Sequence, residues 1–210
     1  MRVKKEQKKD TVRRILEAAA KEFADTGYEG ARVDGIAARA GVNKAMIYYY
    51  VGDKAELYGR VLGEVFGDLS GRMLESVDAE DAPCDKIRAY VRSLGRAFER
   101  HPYLPKIMMR EMAGGGKYLP EFVSEDFGKI VRCIAKIIDE GCASGDFVRT
   151  DPLVLHLMAA GGLSYLVNTG PVRERHLEAM KEVSEVGSEE RPSALAGRIE
   201  EIVLRALSAR

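Results

Sequence analysis

Apolar positions recur at helical spacing along nearly the whole chain. Val12, Ile15, Leu16, Ala19 and Phe23 fall at i, i+3, i+4, i+7 and i+11, one face of a helix that Gly27 closes. Val33–Ala40 and Lys44–Tyr50 follow as two short helices on either side of Gly41-Val42-Asn43. Asp53 suits the N-cap of a longer helix through Leu57, Val61, Leu62, Val65, Phe66 and Leu69. The polar stretch from Ser76 to Pro83 predicts a connection. Ile87, Tyr90, Val91, Leu94 and Phe98 then mark an amphipathic helix stopped at His101-Pro102.

A methionine-rich helix (Ile107, Met108, Met109, Met112) closes at Gly114-Gly115-Gly116. The next helix carries Phe127, Ile130, Val131, Ile134, Ile137 and Ile138 and ends between Gly141 and Gly145. Asp151-Pro152 opens another through Leu157, Ala160, Ser164 and Val167, ending near Gly170. A short helix from about His176 to Val186, a charged loop from Gly187 to Pro192, and a last helix on Leu195, Ile199, Ile202, Val203, Ala206 and Leu207 complete the chain. No stretch alternates with period two and no hairpin dipeptide joins β-branched runs, so the predicted class is all-α.

Composition narrows the setting. A chain of 210 residues makes one or two domains. Three cysteines argue against a disulfide scaffold and for a reducing compartment. The longest apolar stretch, Leu153 to Val167, is interrupted by His156, Gly161, Gly162 and Ser164 and is too short to span a bilayer. The basic start (Arg2, Lys4, Lys5, Lys8, Lys9) has no apolar core behind it, so no secretory signal is read and the expected location is the cytoplasm. The zero net charge hides a gradient: residues 1–54 hold 12 Lys+Arg against 8 Asp+Glu, net +4, and the rest 21 against 25, net −4. A basic head on an acidic body fits a polyanionic partner.

The stretch from Val33 to Tyr50 has the pattern of a helix-turn-helix. Small Ala37 sits where the helices cross, Gly41 takes the turn, and Ile36, Val42, Ile47 and Tyr50 supply the contact between them. Helical geometry places Ile47, Tyr50 and Val51 on one face of the second helix and Ala45 and Tyr49 on the other, with Tyr48 beside them and Lys44 near its start. Such an outer face is what a recognition helix presents to the major groove.

From about Lys8 to Val65 the chain resembles the TetR-type DNA-binding domain. The likeness rests on Ile15-Leu16-Glu17-Ala18-Ala19, Phe23, Gly27-Tyr28, Ile36-Ala37, Ala40-Gly41-Val42, Ile47-Tyr48-Tyr49-Tyr50 and Lys54-Ala55-Glu56-Leu57, in the family's order and spacing. It implies a helix-turn-helix DNA-binding domain over residues 1–54 (the helix-turn-helix at about 33–52) and a helical ligand-binding and dimerisation domain over 55–210. It further implies a transcriptional regulator that binds double-stranded operator DNA as a homodimer, a repressor released by a small apolar effector, with no catalysis, cofactor, metal or membrane. Arg32, Val33, Lys44, Ala45, Met46, Tyr48, Tyr49 and Lys54 are the expected DNA contacts. Five positions at three places depart from the family. Ala31-Arg32 stand where Thr or Ser usually caps the second helix, Ala45-Met46 where Gly-Thr is frequent, and Tyr49 where His is common.

Phe98, Met108, Met109, Met112, Phe122, Phe127 and Tyr165 are candidates for an apolar effector pocket, although methionines at helical spacing also pack cores. Ala160, Gly161 and Ser164 on one helix and Leu195, Ile199, Ile202, Val203 and Leu207 on the last are the expected dimer seam; the alternative is that these helices cover the protomer's own core. Gly114-Gly115-Gly116-Lys117 lacks the strand and the Ser or Thr of a phosphate-binding loop and is expected to be an ordinary connection. Three histidines without ligand spacing give no zinc site, and Cys133 and Cys142, nine apart, lie on opposite faces of a continuous helix. The alternative function, a helical enzyme or scaffold retaining a helix-turn-helix head, finds no catalytic constellation to support it.

Overall fold

A computed structural model describes residues 2–176, 186–187 and 189–209, with residues 2–5 described by backbone alone. Its helices are α1 (Arg2–Gly30), α2 (Val33–Ala40), α3 (Lys44–Tyr50), α4 (Lys54–Asp78), α5 (Pro83–Arg100), α6 (Leu104–Ala113), α7 (Glu121–Ser144), α8 (Pro152–Asn168), α9 (Gly170–Arg175) and α10 (Pro192–Leu207). Among the described residues no strand forms beyond a single bridge between Phe147 and Ser208. The fold is all-α, as the spacing predicts.

The chain forms two compact units, Met1–Phe66 with Lys106–Ser124, and Gly67–Pro105 with Glu125–Arg210. The first extends beyond the expected boundary at 54/55 because the opening turns of α4 bury Leu57, Tyr58, Val61 and Leu62. Within it, the α1 stripe Ile15, Leu16, Ala19 and Phe23 is buried with Ile36, Ala37 and Ala40 of α2 and Ile47 of α3. The helical path of α1 breaks at Gly27 (φ 74°, ψ 173°), where the sequence predicts its end.

In the second unit α10 packs on α5 and α8. Buried Glu200 of α10 receives two hydrogen bonds from Arg92 of α5, 2.8 and 3.0 Å, so its charge is paired rather than stranded. Beyond α10, Val148 N–H donates to the Leu207 carbonyl at 2.8 Å and Ala209 N–H to that of Asp146 at 3.0 Å, fastening the chain end to the α7–α8 loop.

Four expectations change. The connection predicted from Ser76 shrinks, since α4 runs to Asp78: Val77 continues its buried stripe one turn past Met73. The helix expected to end near Gly170 stops at Asn168, and Pro171 opens the separate α9. The face of α8 is also different, because Leu155, His156, Ala159, Leu163 and Ser164 are buried while Leu157 is exposed. On α10, Leu195, Val203 and Leu207 are buried within the protomer, leaving Ile202 in solvent; they cover the protomer's own core instead of forming an open seam. The helix expected at His176 to Val186 lies largely outside the described residues.

Buried His156 and half-buried Asp68 make the second unit acid-sensitive in stages. Burial depresses the His156 imidazole to about 4, so its stabilising neutral form is favoured above the usual histidine range and its contribution is lost as pH falls through that window. Burial alone would raise the Asp68 carboxyl, but hydrogen bonds from Arg72, Arg100 and His101 outweigh it and hold the group at about 2. Asp68 therefore stabilises the fold above pH ~4 by about 1–2 kcal/mol and loses that contribution as pH falls toward 2. Denaturant midpoints at descending pH should fall in both windows for the wild type, while Asp68→Asn should show the first fall and little of the second. Parallel curves through the lower window would refute the role of Asp68.

Candidate nucleic-acid interface

The recognition helix is positioned by local chemistry and by ties to α1. Asn43 caps α3, its side-chain oxygen accepting the Met46 N–H at 2.8 Å. Gly41 turns the chain between α2 and α3 at φ 63°, a conformation that costs a residue without Cβ least. Its N–H bonds back to Ala38, and the guanidinium of Arg14 on α1 donates to the carbonyls of Ala40 and Gly41, closing the end of α2. Arg39 of α2 donates to Glu22 of α1 at 3.0 Å, giving that buried carboxylate a partner. Neither Arg14 nor Glu22 stands out in the sequence, because their partners are distant along the chain and leave no local pattern.

The outer face of α3 is open. Tyr49 is 80 % exposed and Tyr48 49 %, Ala45 is exposed and Met46 half-buried, while Ile47 faces inward. Lys44 is exposed and lies 3.0 Å from Asp34. Arg32 occupies the N-cap position of α2 without making a side-chain cap, as the departure at Ala31-Arg32 foretells, and its exposed guanidinium stands beside half-buried Val33. Lys8 of α1 sits over the Tyr50 ring at 5.8 Å, and Arg60 of α4 donates to the Tyr50 carbonyl at 3.1 Å.

Asp53 caps α4 as expected, accepting from Ala55 and Glu56 N–H at 2.8 and 2.9 Å, while Glu56 returns a bond from the Asp53 N–H at 2.8 Å. Lys54, at the start of α4, donates to the Glu29 carbonyl at 3.1 Å and rests over the Tyr28 ring at 4.7 Å. Tyr28 belongs to an aromatic cluster with Phe23, Tyr58 and Tyr118, in which Tyr28 and Tyr118 stack at 4.4 Å. The Tyr58 hydroxyl donates to buried Glu111 at 2.6 Å. Burial, followed by this bond, pushes the phenol well above its usual range.

The family model of bacterial regulatory proteins, tetR family, matches residues 15–61, from the core of α1 into α4. The transcriptional repressor NicS of Pseudomonas putida is 32 % identical over 165 residues, covering 74 % of each chain. The chain belongs to the TetR family of transcriptional regulators. RutR of Escherichia coli is 27 % identical over 157 residues, 75 % of this regulator and 74 % of RutR. A Streptomyces coelicolor repressor, SCO4008, is 40 % identical over 111 residues, so that the match spans 52 % of this regulator and only about half, 54 %, of that relative. Among solved structures, the fatty acid degradation regulator FadR of Bacillus halodurans superposes with a TM-score of 0.70 at 19 % identity, covering 92 % of this regulator and 94 % of FadR, a likeness of fold.

The other candidate residues separate. Of the pocket set, Met108, Met109, Met112 and Phe122 belong to the first unit and Phe98, Phe127 and Tyr165 to the second. Met109, Met112 and Tyr165 are exposed, so Met109 and Met112 are not core residues either. Phe98 is buried, and Phe127 meets the His156 ring edge-on at 5.0 Å, where the His156 Nδ1 pairs with the Tyr90 hydroxyl at 2.8 Å. Of the seam set, Ser164, Leu195, Val203 and Leu207 are buried, Ala160 and Ile199 half-buried, and Gly161 and Ile202 exposed. Among the described residues no helix is long and apolar enough to cross a membrane, and no cluster of His, Cys, Asp or Glu has the makings of a metal site.

Proposed function

We propose that this regulator is a cytoplasmic, ligand-responsive repressor that binds double-stranded operator DNA as a homodimer. The observation that carries the proposal is the exposed face of α3, with Tyr49 and Tyr48 standing out on a helix whose opposite face is buried. Seated in a major groove, Ala45 and Met46 touch thymine methyls, Tyr49 reads or braces the adjoining strand, and Arg32, Val33, Lys44, Tyr48 and Lys54 meet the backbone. Residues 1–54 thus read DNA, while 55–210 hold the effector site and the dimer face.

That NicS and SCO4008 are named repressors supports repression. The effector proposed is a small, mainly apolar molecule, for which Phe98 and Phe127 are the retained pocket residues; FadR of Bacillus subtilis, a fold neighbour, was solved with stearoyl-CoA. It releases the operator only by preferring the conformation that binds DNA poorly, and α4, one helix from Lys54 to Asp78, links the two functions along the chain. The dimer face proposed is the exposed apolar surface of α8 and α10, including Gly161 and Ile202, with Leu157, Met158 and Tyr165 in place of the buried seam residues.

Gel shifts on the DNA upstream of the regulator's own gene, at two salt concentrations, test this function. Lys54→Ala should weaken binding to every duplex alike and lower the salt slope by about one. Tyr49→Ala should instead alter which sequence is preferred. A wild type that binds no duplex at either salt concentration overturns the proposal.

A further inference from the structure

The Gly114-Gly115-Gly116-Lys117 segment, a connection without assigned chemistry in the sequence, has a definite task in the first unit. Gly115 and Gly116 (φ 74° and 70°) turn the chain at the end of α6, where the Gly116 N–H bonds the Glu111 carbonyl at 2.7 Å. The turn delivers Lys117 and Tyr118 to the end of α1. There the Tyr118 hydroxyl donates to Glu29 Oε1, and Lys117 Nζ lies 3.5 Å from the same oxygen. Lys117 also rests over the Tyr118 ring at 4.9 Å, while that ring stacks on Tyr28, whose ring carries the Lys54 ammonium.

Glu29 therefore offers Lys54 two oxygen acceptors of different character. Its carbonyl already takes one Lys54 proton at 3.1 Å, which leaves the cation its full charge and two further donors. Its carboxylate would compete directly with an incoming phosphate, yet among the described residues Lys54 makes no ion pair with it, and Tyr118 and Lys117 occupy it instead. The hydrogen bond from Tyr118, then the charge of Lys117 and last that of Lys54, hold the Glu29 carboxyl below its usual range, so Lys54 already feels this carboxylate without pairing with it.

We propose that Tyr118 and Lys117 are positioning residues for DNA binding: they engage the Glu29 carboxylate and so leave Lys54 free for a backbone phosphate. This rests on the assignment of Lys54 as a phosphate contact. The segment that supplies them, Lys106–Ser124, belongs to the same compact unit as Glu29 and Lys54.

The test uses the full chain and a fluorescent duplex of arbitrary sequence, titrated at low and moderate salt. Tyr118→Phe keeps the ring on Tyr28 and removes the hydroxyl. It should weaken binding about threefold at low salt, the scale of an exposed ion pair, and less as salt rises. Glu29→Gln should bind at least as tightly as wild type, and Tyr118→Phe/Glu29→Gln should match Glu29→Gln. In a Lys54→Ala background Tyr118→Phe should have no effect. A wild type that binds with an affinity Tyr118→Phe leaves unchanged, or a loss that persists in the Glu29→Gln background, overturns this inference alone. Absence of wild-type binding, or a Lys54→Ala variant that binds like wild type, overturns the DNA assignment and the inference with it.

Discussion

Placing glutamate at Ile202 and Met158 together is expected to leave a fully helical monomer that holds its operator at least about 100-fold more weakly. Ile202 is 60 % and Met158 66 % exposed, so neither change disturbs the protomer's own core. They lie on α10 and α8, which pack against each other and also expose Leu157 and Tyr165. Apolar surface of this kind marks an interface, and in the proposed homodimer two-fold pairing of the same face on a second copy would cover it. Carboxylates there must be desolvated against an apolar partner or against their own symmetry mates, and both outcomes oppose association. The loss on DNA follows because a lone recognition helix makes few base contacts, whereas two heads about one helical turn apart (~34–36 Å) bind as a linked pair. Linkage of this sort raises affinity by about 10²–10⁴. Sedimentation should report the monomer mass, far-UV circular dichroism should be unchanged, and gel shifts should show the weakened complex. A double variant that still sediments as a dimer would move the interface elsewhere.

Gly95→Val should destabilise the chain by about 3 kcal/mol or more, whereas Gly71→Val should be within about 0.5 kcal/mol of wild type. Both glycines lie inside helices, and valine costs a helix about as much as glycine does, so local propensity nearly cancels. What differs is the space. A Cβ at Gly95 would stand 2.7 Å from the Ala196 Cβ, 2.9 Å from the Pro192 carbonyl oxygen and 3.0 Å from the Ser193 Cα, and two of these atoms are backbone that cannot rotate away. At Gly71 nothing lies within 4 Å. The added atoms at Gly95 must therefore push α10 off α5, exposing Leu195 and Ala196 and straining the bidentate Arg92–Glu200 pair. Denaturant midpoints of the two variants separate these cases, and equal midpoints would refute the close crossing of α5 and α10.

Much of the helix-turn-helix is readable without coordinates, because its determinants are local. The boundaries of α2 and α3, the break at Gly27, the cap at Asp53 and the outward direction of Tyr49 each depend on residues within about a turn of one another. The pocket and the seam are not readable in this way. Along α8, Leu155 and Ala159 are buried while Leu157 and Met158 are exposed, and all four are apolar or small enough for either side. The Met109 and Met112 pair likewise has helical spacing but faces solvent.

The sequence by itself determined an all-α chain, the order and approximate ends of its helices, a basic reading head and the side of α3 that faces outward. Those properties follow from periodicity, capping and turn chemistry, which act over a few residues. Tertiary structure alone decided which face of α8 and α10 the protomer keeps for itself, that Arg14 closes the end of α2, and that the triple-glycine turn brings Tyr118 to Glu29, 89 residues away. A helical stripe specifies that a face must be covered but not by what. Partners separated by many turns are chosen by the fit of whole helices and by the charges that must be satisfied once those helices are packed.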